Sequence, residues 1–190
     1  FEVTVFNRTH AKALSWAEKY QGQAAETVAE CVADADVVLV CVGNDDDVRS
    51  MTTSETGALA AMKSGAILVD HTTTSALLSE ELDKAAQEVG VRFMDAPVSG
   101  GQAGAENGVL TIMCGGDDAL FNELQPIFEA YGKSSVLMGS VGQGQRAKMV
   151  NQICIAGVLN GLSEGLILAE KSGLDIPTLV DCLKNGAAGS

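Results

Sequence analysis

Apolar and polar positions alternate in blocks along the first 140 residues, and the spacing within the blocks predicts both strands and helices. Short β-branched or continuously apolar runs predict strands at 1–6, 36–42, 65–70, 91–96, 110–114 and 135–138. Between them, apolar residues recur at helical spacing over 10–20, 27–33, 75–89 and 119–131. Strands alternating with helices predict an α/β fold, a Rossmann-like doubly wound sheet with a mostly parallel half.

The pattern changes after residue 140, where a single long helix is predicted over 146–171. Beyond Gln152 this helix is apolar almost all round, which predicts burial on both sides, between domains or subunits. Glycines spaced four apart also occur in membrane-spanning helices, but polar residues, among them Asn160 and Glu164, interrupt this run and argue against a span. We therefore expect one α/β domain over 1–140 and part of a second domain, beginning with this helix, over 141–190.

Composition narrows the possible partners. The formal net charge is −13 and no basic cluster exists, so neither nucleic acid nor an anionic membrane is an expected partner. The five cysteines are scattered without a C-x-x-C pair, which favours reduced thiols and a cytoplasmic location. Three adjacent aspartates at 45–47 have no histidine or cysteine cluster beside them, so no metal site is predicted.

Short polar or glycine-rich segments follow the predicted strands at 7–9, 42–44, 71–73 and 97–101. In doubly wound sheets, ligands bind beyond the carboxyl ends of the strands. We therefore expect these four segments to line one crevice.

The segment Asn7-Arg8-Thr9 follows a strand that would be the second strand of a dinucleotide-binding unit, so its residues indicate which nicotinamide dinucleotide would bind. An acid at this point would bind a ribose 2′-hydroxyl, whereas an arginine suits a 2′-phosphate, so NADP is predicted, with NAD as the alternative. A simple turn and helix cap is the competing interpretation. No G-x-G-x-x-G precedes Arg8, and we interpret this as a missing first strand and glycine-rich loop.

Two further segments carry candidate chemistry. Ser99-Gly100-Gly101 exposes consecutive backbone N–H groups and a hydroxyl, which suit a carboxylate, although an ordinary tight turn has the same composition. Lys148, Asn151 and Gln152 are spaced i, i+3 and i+4 and so share one helix face. A lone lysine is usually solvated, but this one follows a glycine-rich approach and precedes an apolar helix.

These motifs in combination resemble a known family. Residues 95–101 with 110–113, and Gly142-Gln143-Gly144 with 148–152, are similar to the substrate and catalytic motifs of the β-hydroxyacid dehydrogenases. That family includes 3-hydroxyisobutyrate dehydrogenase and the tartronate semialdehyde and glyoxylate/succinic semialdehyde reductases. Gln152 stands where many members carry a second asparagine, and His71 replaces a common apolar residue. We expect His71 to be packed or solvated rather than a cofactor contact.

The resemblance implies hydride exchange between NADP(H) and a small β-hydroxy acid or its semialdehyde. Lys148 would be the general acid and base, with its pKa lowered by burial and by the helix N-terminus, and Asn151 would hold it and the substrate oxygen. Ser99, Gly100 and Gly101 would bind the carboxylate, with Thr111 and Gln152 nearby. The implied cofactor contacts are Asn7, Arg8, Thr9, Val42, Gly43, Asn44 and Thr73.

The resemblance also implies that 1–140 is a dinucleotide-binding domain and that 141–190 is the start of the family's all-α C-terminal domain. That helical domain further implies a homodimer or homotetramer. Two alternatives stay open at this point. One is a non-catalytic dinucleotide-binding or interaction module of the same fold, which would be expected to have lost Lys148. The other is an imine reductase, which shares the architecture and usually lacks this lysine.

Overall fold

The centre of the structure is a set of three parallel strands whose carboxyl ends meet at one edge. In the computed structural model, which describes residues 1–189, these are β3 (Val37–Val40), β4 (Ile67–Asp70) and β5 (Arg92–Asp95). All four residues of β4 are buried, as the continuous apolar run predicts. The register pairs Asp70 with Asp95, so two acids end neighbouring strands.

The rest of this six-stranded sheet is mixed. β7 (Leu110–Gly115) runs antiparallel to β5 and to β6 (Val98–Ser99), and parallel to β8 (Gly132–Gly139). Leu68 belongs to the apolar core on one face of the sheet and Val69 to the core on the other. The predicted α/β, Rossmann-like sheet with a parallel half is confirmed.

The first strand is shorter than predicted and pairs with a strand that was not predicted. β1 (Thr4–Val5) lies parallel to β2 (Gln23–Ala24) in a separate two-stranded sheet. Two-residue strands have no periodicity that a sequence pattern could reveal.

The predicted helices are present with ends shifted by a few residues, and most begin at a side-chain cap. Asn44 caps α3, for example, and Ser75 caps α4, each accepting the N–H three residues later. A 3₁₀ turn spans Ala58–Ala60. The helices of the first 140 residues are α1 (His10–Tyr20), α2 (Val28–Val32), α3 (Asp45–Thr52), α4 (Ala76–Glu88), α5 (Gly101–Glu106) and α6 (Asp118–Phe128).

The C-terminal part is helical. The chain divides into two compact units, Phe1–Lys148 and Met149–Ser190, and the division falls within α7 (Gln143–Lys171), which is followed by α8 (Ile176–Lys184). The all-round burial predicted for α7 is not met within residues 1–189, where Ile153 is 71% and Leu168 67% exposed.

Among residues 1–189, α7 is also the one helix that could cross a membrane by length and composition alone. That is weak evidence for a span, because long helices packed inside soluble proteins meet the same two criteria.

Candidate active site

Backbone bonds tie together the segments that follow the three parallel strands. His71 N–H donates to Val40 O and Ala96 N–H donates to Asp70 O, both at 2.8 Å. Val42 N–H donates to the Thr72 hydroxyl at 3.0 Å. The segments 42–44, 71–73 and the start of 97–101 therefore lie at one edge of the sheet, as predicted.

The segment 7–9 lies beside this edge. Asn7 Oδ1 accepts the Thr9 N–H at 2.9 Å, so Asn7 forms the turn that was the competing interpretation. Arg8 is largely exposed, and its guanidinium donates to Asp47 Oδ1 at 2.9 Å. Asp47 is in the first turn of α3, and a side chain at Gly43 would displace its carboxylate.

The Ser99-Gly100-Gly101 segment is a strand end followed by a helix start rather than an open turn. Ser99 in β6 lies opposite Thr111 in β7, so two of the predicted substrate residues are neighbours. Gly100 and Gly101 have φ of +130° and +62°, which other residues rarely adopt. α5 begins at Gly101, and within residues 1–189 no side chain caps it by accepting from its first-turn N–H groups.

Lys148 lies in the second turn of α7. Its side chain belongs to the buried set, with the residue 8% exposed, and this burial lowers the pKa of its amine, as expected. The solvated-lysine interpretation is therefore wrong for this residue.

The start of α7 is held by Asp95, whose role the sequence analysis missed. The fully buried Asp95 carboxylate accepts the N–H of Gly142 at 2.6 Å and of Gln145 at 2.8 Å. Gly144 also packs closely against Asp95, since a Cβ at this position would lie 2.7 Å from Asp95 Oδ2 and would clash with Met113 O. The sequence does contain a signal for this role, because Asp95 is an acidic residue at the end of a mostly apolar strand.

Gln145 was also missed. Its side chain is fully buried, accepting the Thr74 N–H through Oε1 at 3.0 Å and donating through Nε2 to Thr72 O at 2.7 Å. The loop His71–Ser75, hereafter the β4–α4 loop, is thereby bonded to the helix that carries Lys148.

Asp70 is the third missed residue. Its carboxyl is fully buried and accepts from the Thr72 N–H at 2.9 Å, while Oδ2 has no partner within residues 1–189. Burial raises the pKa of Asp70 to about 6, and the charges of Asp95 and Asp45 add to the rise, whereas the bonds from Thr72 oppose it.

His71 is packed rather than solvated. Nδ1 lies 2.6 Å from Ala96 O and Nε2 lies 2.8 Å from the Tyr131 hydroxyl. A carbonyl can only accept, so Nδ1 donates and Nε2 accepts from Tyr131. Burial lowers the pKa of His71, which favours this neutral form, and both ring nitrogens are engaged within the protein.

The remaining predicted residues differ in exposure. Gly43, Asn44 and Thr73 are exposed at the strand edge. In the second unit, Asn151 has a buried Oδ1 with no partner among residues 1–189, and Gln152 is exposed. Both follow Lys148 along α7, by three and four residues.

Two family models match the chain. Residues 1–144 match the NAD binding domain of 6-phosphogluconate dehydrogenase. Residues 142–190 match the model described as NAD-binding of NADP-dependent 3-hydroxyisobutyrate dehydrogenase.

Similar proteins cover the whole chain but are longer than it. An uncharacterized oxidoreductase from Shewanella frigidimarina is 51% identical over 100% of the chain, which spans 65% of that protein. The probable 3-hydroxyisobutyrate dehydrogenase-like 1, mitochondrial, of Arabidopsis thaliana is 43% identical over 100% of the chain, which spans 57% of it.

Solved structures agree with these matches. Mycobacterium tuberculosis 3-hydroxyisobutyrate dehydrogenase with L-serine has a TM-score of 0.86 at 30% identity. The match covers 100% of this chain and 64% of the M. tuberculosis chain. An imine reductase from Myxococcus stipitatus shares the fold, with a TM-score of 0.88 at 22% identity over 97% of this chain and 63% of its own.

Proposed function

The chain belongs to the β-hydroxyacid dehydrogenase family, and on that premise we propose that the full-length protein transfers a hydride between NADP(H) and a small β-hydroxy acid or its semialdehyde. The observation that carries the proposal is Lys148, a buried residue near the start of a helix that is bonded to the predicted ligand-binding edge of the sheet. A non-catalytic member of the fold has no need of such an amine.

Lys148 would move the proton. Reduction of a carbonyl carbon leaves negative charge on the oxygen, and that charge needs a nearby proton donor. A lysine with its ordinary pKa of about 10.4 gives up a proton reluctantly and holds one too firmly to be a base in the reverse direction. Burial lowers the pKa of Lys148, which improves it in both roles.

The substrate carboxylate would bind at Ser99, Gly100 and Gly101. In support, no side chain among residues 1–189 caps α5, and Ser99 is the strand partner of Thr111. Asn151 would accept a hydrogen bond from Lys148 or the substrate hydroxyl, which would satisfy its buried Oδ1. Gln152 would assist from the same helix face.

The strand edge fits a dinucleotide. The exposed residues Gly43, Asn44 and Thr73 would hold it, together with Val42 and the segment Asn7–Thr9. When bound, the nicotinamide supplies or accepts the hydride. The preference for NADP rests on the cation of Arg8, with NAD as the alternative, because Asp47 already shares that guanidinium.

Turnover of a substrate panel tests the proposal. The full-length protein is assayed for NADPH and NADH oxidation with glyoxylate and with succinic, methylmalonate and tartronate semialdehydes. Lys148→Ala should lower kcat by roughly 10²–10⁴ while cofactor affinity is kept. The exposed Lys133 on β8 supplies the control, since Lys133→Ala should leave both unchanged.

Each alternative predicts a different outcome. Unchanged turnover in Lys148→Ala would refute the role of the amine. Cofactor binding without turnover of any aldehyde would favour the non-catalytic module, and reduction of cyclic imines instead of aldehydes would favour an imine reductase.

A further inference from the structure

The buried carboxamide of Gln145 bridges two elements that are far apart in the sequence. Both of its ends are bonded to backbone in the β4–α4 loop, one to Thr72 O and the other to Thr74 N–H. A carboxamide with its donor and its acceptor both engaged has a defined orientation. Thr73, a predicted cofactor contact, lies between the two bonded residues. The two bonds therefore fix the backbone on both sides of Thr73.

The backbone of Gln145 is fixed as well. Its N–H donates to Asp95 Oδ2 at 2.8 Å, and the neighbouring Gly142 N–H donates to Oδ1 at 2.6 Å. The start of α7 is therefore bonded both to the end of β5 and to the β4–α4 loop.

Helix geometry carries this restraint to Lys148. Residues three apart on a helix lie on the same face, one turn from each other. The bonds that hold Gln145 against the β4–α4 loop therefore also keep Lys148 on the side of α7 that faces the loop. The burial of Lys148 agrees with this position.

The same bonds reach a second cofactor segment. Thr72, whose carbonyl accepts from Gln145, uses its hydroxyl to accept the Val42 N–H at 3.0 Å. A short chain of bonds thus connects the segment 42–44, the β4–α4 loop and the helix turn before the amine.

We propose that Gln145 is a positioning residue, which fixes the buried amine of Lys148 relative to the cofactor-binding loop through the bonds of its carboxamide to Thr72 and Thr74. This inference rests on the proposed function for its effect on turnover, but the position of the amine can be measured without turnover.

The test compares two variants with a matched control in the full-length protein. Gln145→Met keeps the length and loses both bonds. Gln145→Glu keeps an acceptor for Thr74 N–H but, when ionised, cannot donate to Thr72 O. Thr52→Val is the control, because the Thr52 hydroxyl is equally buried and donates to Val48 O at 2.6 Å within α3.

Turnover should separate positioning from general stability. At a temperature where all variants are folded, Gln145→Met should lower kcat by about 10- to 100-fold, as expected for a displaced catalytic group. Gln145→Glu should fall between Gln145→Met and the wild type. Thr52→Val should lower the melting temperature and leave kcat unchanged. An equal loss of kcat in the control and in Gln145→Met would overturn the proposal.

Acetylation of Lys148 supplies the readout that is independent of activity. The rate of acetylation by acetic anhydride is followed by mass spectrometry, with the exposed Lys133 as internal reference. The lowered pKa of Lys148 leaves more of its amine in the reactive neutral form, but burial shields it from the reagent. Relative to Lys133, Lys148 should therefore react slowly in the wild type and in Thr52→Val, and faster in Gln145→Met, where the shielding is reduced. Unchanged acetylation in Gln145→Met would overturn the proposal. If the wild type turns over no substrate, the proposed function fails and the acetylation rates still decide the role of Gln145.

Discussion

Replacing Asp70 by asparagine should change how the stability of the first unit depends on pH. Asp70 is fully buried, and burial raises its pKa from 3.8 to about 6, with the charges of Asp95 and Asp45 adding to the rise. Asparagine keeps the shape and an oxygen that can accept the Thr72 N–H, but it cannot ionise.

The sign and size follow from linkage. A carboxyl with a higher pKa in the folded than in the unfolded chain is favoured in its neutral form by folding, so its contribution is complete below about pH 3.8 and is lost as the pH rises through about 6. At 1.36 kcal/mol for each tenfold change in the protonation equilibrium, the full loss is about 3 kcal/mol. The asparagine variant has no such loss.

The stability of Asp70→Asn relative to the wild type should therefore rise by about 2–3 kcal/mol between about pH 4 and pH 8. Urea unfolding at a series of pH values measures this, with the fluorescence of Trp16, the single tryptophan, reporting on the first unit. His71 titrates in the opposite sense, since its lowered pKa gives stability that is lost as the pH falls below 6.5, but it is common to both proteins.

A non-titrating variant controls for buried polarity as such. Ser79 is fully buried and its hydroxyl has no partner among residues 1–189, so Ser79→Ala should differ from the wild type by an amount that does not depend on pH. If the difference between Asp70→Asn and the wild type is equally flat, the buried carboxyl does not carry the proposed penalty.

Two further predictions concern the helix start and the cofactor. Gly144→Ala should lower both the melting temperature and kcat, measured by calorimetry and by NADPH oxidation, because its Cβ would lie 2.4 Å from Met113 O; an unchanged kcat would contradict this. Arg8→Asp should shift preference from NADPH toward NADH, and Asp47→Asn should raise NADPH affinity by freeing the guanidinium. Titrations of both nucleotides measure these shifts, and equal NADPH affinity in Arg8→Asp would remove Arg8 from the cofactor site.

Much of the fold could be predicted because the signals are local. Burial on both faces produces the continuous apolar run at 65–70, and helix caps such as Asn44 and Ser75 act within three residues. α5 was missed because Gly100 and Gly101 resemble an open turn, whereas their left-handed backbone instead leads directly into a helix.

For the candidate site, the sequence pointed to the residues proposed to carry chemistry but not to the residues that hold them in place. Ser99 and Lys148 stand out from their neighbours by composition and spacing. Asp95 and Gln145 do not, because each acts on a partner that lies 47 to 73 residues away in the sequence. A single sequence contains no periodic or spacing signal for contacts of that length.

The structure also explains how Asp95 can hold the start of α7 without forming an ion pair with Lys148. Burial raises the pKa of Asp95, and the N–H groups that its two oxygens accept at the start of α7 oppose that rise by favouring the carboxylate. Among residues 1–189, no carboxylate lies within ion-pair distance of Lys148. An ion pair with a carboxylate would raise the pKa of a lysine. Because Lys148 has no such partner within residues 1–189, burial lowers the pKa of its amine unopposed. Within residues 1–189, the buried acid thus fixes the start of the helix without forming an ion pair with the amine that would transfer the proton.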